Sequence, residues 1–302
     1  MIDWRGVEAL RAVAVHGTVT AAAAALGYTP SAVSQQIASL SRSFGVTLLE
    51  RTGRTVRLSP AAHELLRSAA AIDVAWQESL ARLAATATPR GMLRLCGVSS
   101  AIAAIAAPAI ATLGRSHPNL SVTVREEESV DCFALVAADD ADIALVLPTP
   151  DSPDALDPRF EQHALLDDPQ DLLVPEGHAL CDYPAVALRD AALESWIVKR
   201  RGNDSYTLLI AACASAGFTP HVAHEAKEWY AVSALVAQGL GVCLLPRMVP
   251  IPAHHAVQRI PLAAAPTPTR RINLVVRRGS AKHPAIIAGV KALEAVAGAR
   301  NE

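Results

Sequence analysis

The chain has 302 residues, with 27 Lys+Arg against 29 Asp+Glu for a formal charge of −2, and it is 51% apolar but only 4% aromatic. That length accommodates two or three domains with a substantial core, and the alanine-rich apolar content points to close helix packing and excludes a long disordered tail. The longest apolar stretch, Ala101 to Leu113, is interrupted by Pro108 and Thr112, and Asp3, Glu8, Arg11 and His16 interrupt any signal-peptide core, so a cytoplasmic protein with no membrane partner is expected.

Cysteines 96, 132, 181, 213 and 243 lie at least 30 residues apart, which provides no zinc-ribbon or CxxC spacing and fits reduced, buried thiols. The near-zero charge hides a split. Residues 1–67 carry seven arginines and four acids, for +3, and the remainder carries −5. The basic end is the part to test for nucleic-acid binding.

In chain order, Val7, Leu10, Val13 and Ala14 repeat at helical spacing up to a stop at His16-Gly17. Thr18 or Thr20 can cap a second helix, Ala21 to Leu26, which closes at Gly27, and a third begins after Thr29-Pro30 with Ser31 as a candidate capping residue. On the third helix Val33, Ile37 and Leu40 share one face, and Ser31, Ser34, Gln35 and Ala38 form an uncharged strip on the other. Small hydroxyls and an amide on a helix that follows an alanine-rich helix and a tight turn form a helix-turn-helix, and Gln can pair with adenine in the major groove. Residues 47–59 then read as a hairpin turning at Thr52-Gly53, with Arg51, Arg54 and Arg57 around its tip, suited to phosphates or a narrow minor groove. Alone, a Ser/Gln strip is a solvated face and three arginines are surface charge; their order within 45 residues is what carries meaning.

These residues resemble the LysR-type transcriptional regulators. The resemblance rests on Gly17-Thr18-Val19-Thr20-Ala21-Ala22-Ala23, Leu26, Thr29-Pro30-Ser31-Ala32-Val33-Ser34-Gln35-Gln36-Ile37, Leu40, Gly45, Leu48-Leu49-Glu50-Arg51 and Leu58-Ser59-Pro60-Ala61. Three positions depart from the family pattern: Ser41 in place of an acid, Leu49 in place of Phe, and Ala62 in place of Gly. The resemblance implies a winged helix-turn-helix over 1–59 whose DNA contacts fall on Thr29, Pro30, Ser31, Ser34, Gln35, Arg51 and Arg54.

Pro60 to about Thr88 reads as one long helix with an apolar stripe of Leu65, Ala69, Ile72, Trp76, Leu80 and Leu83. A stripe of that length suits pairing with a second copy, and the resemblance makes it a dimerising linker over 60–88. Thr86 to Gly91 reads as a hinge. Beyond it strands are expected at Met92–Cys96, Leu120–Arg125, Ile143–Leu147, Leu172–Val174, Trp196–Val198, His221–His224, Gly241–Leu245 and Ile272–Val276, with helices between many of them, an α/β pattern.

His117-Pro118-Asn119-Leu120, Ala141-Asp142-Ile143-Ala144-Leu145 and Leu235-Val236-Ala237-Gln238-Gly239-Leu240-Gly241-Val242 are similar to the family's effector module. The resemblance therefore implies a two-lobed, periplasmic-binding-protein-like α/β domain over 89–302. Lobe one would be about 91–166 plus 269–302 and lobe two about 167–268, joined by crossovers at Asp167-Asp168-Pro169 and Pro261 to Thr269. A small molecule between the lobes would meet Ser99, Ser100, Ser129, Arg201 and Asn203 at the rims of strand ends, and Lys199-Arg200-Arg201 would favour an acidic effector.

Enzyme readings find no GxGxxG, Walker A, GxSxG or HExxH. His221 and His224 on a regular strand would face opposite ways, so no metal or cofactor is expected. The alternatives are a redox-responsive regulator of the same fold, which would need a close cysteine pair, and a cytoplasmic α/β enzyme or solute-binding module. The expected partners are promoter DNA, a small-molecule effector, a second copy in a homodimer or homotetramer, and RNA polymerase.

Overall fold

A computed structural model describes residues 3–52, 55–84, 88–201, 203–263 and 267–301. The backbone divides into two compact units, residues 1–80 and 81–302.

The first unit comprises helices α1 (Trp4–His16), α2 (Val19–Leu26) and α3 (Pro30–Phe44), the hairpin strands β1 (Leu49–Thr52) and β2 (Thr55–Leu58), and most of α4 (Pro60–Ala84). Each short helix is delimited by its own side chains. The carboxylate of Asp3 accepts from Gly6 N at 3.2 Å, and the Thr18 hydroxyl accepts from Ala21 N at 3.1 Å. Helices α1, α2 and α3 all close on a left-handed glycine, at positions 17, 27 and 45. Val7, Leu10, Val13, Ala22, Ala23, Val33, Ile37 and Leu40 form the core, joined by Leu48, Ala62 and Ala69 from the hairpin and α4. Gly6 lets α1 approach α3 closely, because a Cβ there would lie 3.0 Å from Leu40 Cβ. Arg11 of α1 pairs with Asp73 of α4 at 2.8 Å. The hairpin pairs Leu49 with Leu58 and Thr52 with Thr55; the expected turn at residue 53 lies outside the described residues.

In the second unit, β3 (Gly91–Gly97), β4 (Leu120–Glu126) and β5 (Ile143–Val146) run parallel, in the order β5-β3-β4. The sheet continues antiparallel through β11 (Thr269–Arg277) and β6 (Phe160–Pro175). Helix α5 (Ser99–Ala101) leads through a π-helical segment, Ile102–Ala106, into α6 (Ala107–Ser116). Pro108 accounts for the widened turn, since an interior proline removes a donor and crowds the carbonyl four residues back. Helices α6 and α10 (Pro284–Asn301) cover one face, with Ile105, Leu113, Leu293 and Ala297 in the core, and α7 (Ser129–Ala137) covers the other with Cys132, Phe133 and Val136. The remaining strands are β7 (Ser195–Lys199), β8 (His221–Ala226), β9 (Cys243–Pro246) and β10 (Val257–Pro261), with helices α8 (Asp204–Ser215) and α9 (Trp229–Ala237). Their core gathers Trp196, Leu209, Cys213 and Leu172 on one side and Ile197, Val232, Val236 and Leu245 on the other.

The element expected as a three-residue strand at Leu172–Val174 is the last part of the 16-residue β6. Its first half pairs with β11, from Arg277↔Phe160 to Thr269↔Pro169, and its second half pairs with β9 and β10. The expected crossover at Asp167-Asp168-Pro169 lies within this continuous strand. Pro169 hides the strand in the sequence, but it sits where β6 changes partners and accepts from Arg247 N at 2.9 Å, so its missing donor costs no ladder bond. The second expected crossover is described only in part, since residues 264–266 lie outside the described residues. Strand β10, with Arg259 at its centre, was not expected at all.

One glycine follows from contact rather than from any nucleotide motif. Gly241 has φ +149, and a Cβ there would lie 2.4 Å from the Ser195 carbonyl oxygen, because the chain passes against β7 where Trp196 bridges Val242.

At the partner change, Asp168 and Arg270 face each other across β6 and β11, both almost fully buried, with Arg270 Nε donating to Asp168 Oδ2 at 3.0 Å. Met248 N donates to Asp168 Oδ1 at 2.9 Å, and Arg270 Nη2 donates to Ser100 Oγ at 2.9 Å. Burial pushes the Asp168 carboxyl above its ordinary range, and the charge of Arg270 and the Met248 N–H oppose that rise. Removing one partner of such a pair leaves a buried, uncompensated charge. Asp168→Asn is expected to lower the stability of the second unit by about 3–5 kcal/mol, and Asp168→Leu combined with Arg270→Met to recover most of the loss, as measured by urea denaturation.

Candidate DNA interface and effector cleft

Helix α3 presents two faces. Val33, Ile37 and Leu40 are buried, and Ser31, Ser34, Gln35, Ala38 and Ser39 are exposed. The cap differs from the expected one. Thr29 Oγ1, not Ser31, accepts from Ala32 N at 3.2 Å, because Thr29 is the residue that keeps extended geometry before Pro30 opens the helix. Ser31 Oγ instead shares a 3.0 Å hydrogen bond with Thr29 Oγ1. Pro30 occupies the first turn and orients the strip, and Ser34 and Gln35 lie one turn further along it.

The exposed strip is longer than its sequence reading. Gln35, Ser39 and Arg42 continue at i, i+4 and i+7, and together with Asp3 and Arg5 of the α1 start they line one shallow depression. Ser39 and Arg42 are legible from helical spacing, whereas Arg5 enters only through the α1–α3 packing. Arg51 belongs to β1 and pairs with Val56; its side chain, and the whole of Arg54, lie outside the described residues.

On α4, the stripe divides. Ala69 is buried and Leu65 half-buried against the helix-turn-helix core, whereas Trp76 and Leu83 are 63% and 83% exposed.

In the second unit a cleft of about 940 Å³ lies between the two groups of elements, and Ser99, Ser100, Ser129, Arg201 and Asn203 all line it. They do not face it equally. The Ser100 hydroxyl is taken by Arg270, and Ser129 Oγ accepts from Leu147 N at 2.9 Å, tying α7 to the end of β5. Asn203 Oδ1 caps α8 by accepting from Ser205 N at 3.0 Å. Ser99 opens α5, and the Arg201 guanidinium lies 6.0 Å from the Tyr206 ring. Lys199 of the basic run donates to the Lys227 carbonyl and sits 4.9 Å over Trp229.

The sequence reading missed the opposite wall, where Glu126, Glu127, Glu128 and Asp151 line the same cleft. The run of three glutamates was visible in the sequence, but its position across from the basic run was not. The β8 histidines also differ from expectation. A bulge between Val222 and His224 aligns His221 with Ser195 and His224 with Ile197, so the register gives them the same face. No group of three metal-ligating side chains occurs among the described residues.

Two thiols distant in sequence meet in space. Cys132 of α7 lies against Cys96 of β3, and all five cysteines are free. Hydrogen bonding to Cys96 and burial push the Cys132 thiol well up, and burial pushes Cys213 and Cys243 up to about 12, against the charge of Arg259 at Cys243. Such thiols stay protonated and are weak nucleophiles.

A family profile described as "LysR substrate binding domain" matches residues 86–297, and one described as "Bacterial regulatory helix-turn-helix protein, lysR family" matches residues 4–63. The chain belongs to the LysR family of transcriptional regulators. Among its curated relatives, a "Probable hydrogen peroxide-inducible genes activator" of Mycobacterium avium is 30% identical over 285 residues, covering 92% of this chain and 88% of the relative. The "Transcriptional dual regulator GltC" of Bacillus subtilis (strain 168) is 29% identical over 220 residues, covering 72% and 71% respectively. The crystal structure of HinK, a LysR family transcriptional regulator from Pseudomonas aeruginosa, superposes with a TM-score of 0.61 at 22% identity, covering 97% of this chain and 98% of that one. Full-length BenM gives 0.62 at 20% identity, covering 100% and 98%. These two likenesses concern the fold. As a LysR-type regulator the chain joins a DNA-binding helix-turn-helix to an effector-binding α/β domain, and no single described helix is long and apolar enough to cross a membrane.

The Thr29 geometry separates a capping role from a reading role. Thr29→Ala is expected to destabilise the first unit by about 1 kcal/mol, whereas Ser31→Ala changes stability by less than about 0.5 kcal/mol. Thermal unfolding followed by circular dichroism reads both.

Proposed function

We propose that the regulator binds promoter DNA as a cytoplasmic homodimer or homotetramer and that a small molecule in the interlobe cleft controls it. On this reading Ser31, Ser34 and Gln35 meet base edges, Thr29 and Pro30 set the entry of the helix, and Arg51 and Arg54 meet phosphates or the minor groove. The observation that carries the reading is the exposed strip of α3, uncharged from Ser31 to Ser39 and ending at Arg42, held on a rigid core by a capped helix start. The exposed Trp76 and Leu83 support pairing through α4, since apolar side chains at helical spacing gain most from burial against a second copy. RNA polymerase is the expected protein partner at the promoter.

In the cleft, Ser99, Arg201 and Asn203 are proposed to meet the effector directly, while Ser100 and Ser129 hold the walls in place. An effector that favours one lobe arrangement shifts the oligomer between two spacings of its recognition helices. The basis for a redox reading is the name of the mycobacterial relative and the Cys96–Cys132 contact. Burial of both thiols, with the Cys132 thiol pushed well up, favours the ligand reading over it.

Ser34→Ala with Gln35→Ala is expected to weaken operator binding by about tenfold or more, the worth of roughly 1–3 kcal/mol of base discrimination, and to leave binding to unrelated DNA unchanged, as read by fluorescence anisotropy. Unchanged operator affinity would remove α3 as the reading surface. Trp76→Glu with Leu83→Glu is expected to give monomers in sedimentation and to bind operator only weakly at physiological salt, because a single head of charge +3 makes too few phosphate contacts.

A further inference from the structure

The unpaired charges of the two cleft walls are opposite, since Glu228 of lobe two is paired with Lys227, and Arg270 and Arg271 of lobe one with Asp168 and Asp167. Glu126 and Glu128, at the end of β4 and just before α7, and Asp151 belong to lobe one, and none of their carboxylates has an ion-pair or hydrogen-bond partner among the described residues. Glu127 is already paired with Arg125 at 2.7 Å. Across the cleft, lobe two presents Arg200 and Arg201; Arg200 is only loosely held, 3.9 Å from Glu225, while Lys227 is paired with Glu228 at 3.7 Å. Beside Arg201, the buried Ser205 Oγ has no hydrogen-bond partner, at the start of the 12-residue α8. Apolar side chains, among them Leu147, Leu208 and Trp229, line the space between the two poles.

Each simple class of ligand leaves one wall uncompensated. An anion drawn to Arg201 faces three free carboxylates, a cation drawn to Glu126 and Glu128 faces the basic rim, and a neutral molecule desolvates both walls without satisfying either. A molecule with both charges and an apolar body satisfies both, and because its ends rest on different lobes, its binding is also lobe closure. Resting on the reading of the cleft as the effector site, we propose that the effector is a dipolar, amino-acid-like molecule. Its ammonium or guanidinium group sits against Glu126 and Glu128, and its carboxylate sits against Arg201 and the Ser205 hydroxyl. The acidic-effector expectation drawn from Lys199-Arg200-Arg201 alone is thereby narrowed, because that run forms one pole of two.

The test titrates the full-length protein, by thermal shift and then calorimetry, with three probe sets. These are the standard L-amino acids with 5-aminopentanoate, the linear dicarboxylates from succinate to adipate, and the diamines putrescine and cadaverine. A member of the first set is expected to bind at least tenfold more tightly than any member of the others. Glu126→Gln with Glu128→Gln, and separately Arg201→Gln, should each weaken it tenfold or more, with unliganded melting temperatures unchanged. Tightest binding by a dicarboxylate or a diamine, binding unaffected by the glutamate substitutions, or binding by no probe overturns the dipolar assignment. A probe of any set that still binds when Glu126, Glu128, Arg201 and Trp229 are all replaced would overturn the cleft itself as the effector site, a separate failure.

Discussion

The second unit depends on one buried ion pair. Asp168 and Arg270 meet where β6 and β11 pass from one lobe to the other, and each makes a further hydrogen bond to a different element, the Met248 backbone and the Ser100 hydroxyl. Both side chains are almost fully buried, so the four groups hold or fail together. Met248 itself packs into the lobe-one core, and Ser100 starts the helix at the cleft. A change of lobe angle must either preserve this cluster as its pivot or disrupt it at high cost. The surrounding charges reinforce the pivot: Asp171, also buried, takes Arg247 at 2.6 Å with Arg259 nearby, and Arg271 pairs with Asp167 at 2.8 Å.

The first unit solves a different problem with neutral groups. It must offer a helix to a polyanion without a dense positive field, so it relies on position. Three left-handed glycines and three side-chain caps fix the ends of three short helices, and the close approach at Gly6 sets α1 on α3. Weak electrostatics on each head then make the number of heads the determinant of affinity, which suits a regulator whose oligomer geometry is the controlled variable.

Legibility in the sequence followed the range of the interactions. Caps, stops and the buried face of α3 are local, and residues 4–58 could be read nearly element by element; the misplaced cap at Ser31 is an error of two residues within one turn. Strand β5 also stood out as an apolar run, because both its faces are covered, and β4 as an alternating one, because most of it is exposed at the sheet edge. Strand β6 did not, since Asp167, Asp168 and Pro169 deny the β pattern unless Arg270 and the partner change are known. The cleft was half legible: its basic run, Ser99 and Asn203 lie at strand ends and helix starts, where sequence reasoning looks first. That Glu126–Glu128 faces them depends on tertiary placement alone, as does the meeting of Cys96 with Cys132.

The interleaving of the lobes has a consequence for how the protein is made. Lobe one begins at β3 but needs β11 between β5 and β6 and α10 over its core, and both of these follow lobe two in the chain. Lobe two is contiguous apart from the strand it shares, so it can assemble first, while the earlier segment waits with Leu93, Leu95, Ile143 and Leu145 still without their cover. A chain cut short before β11 would therefore carry an intact DNA-binding head and an open, aggregation-prone sensor.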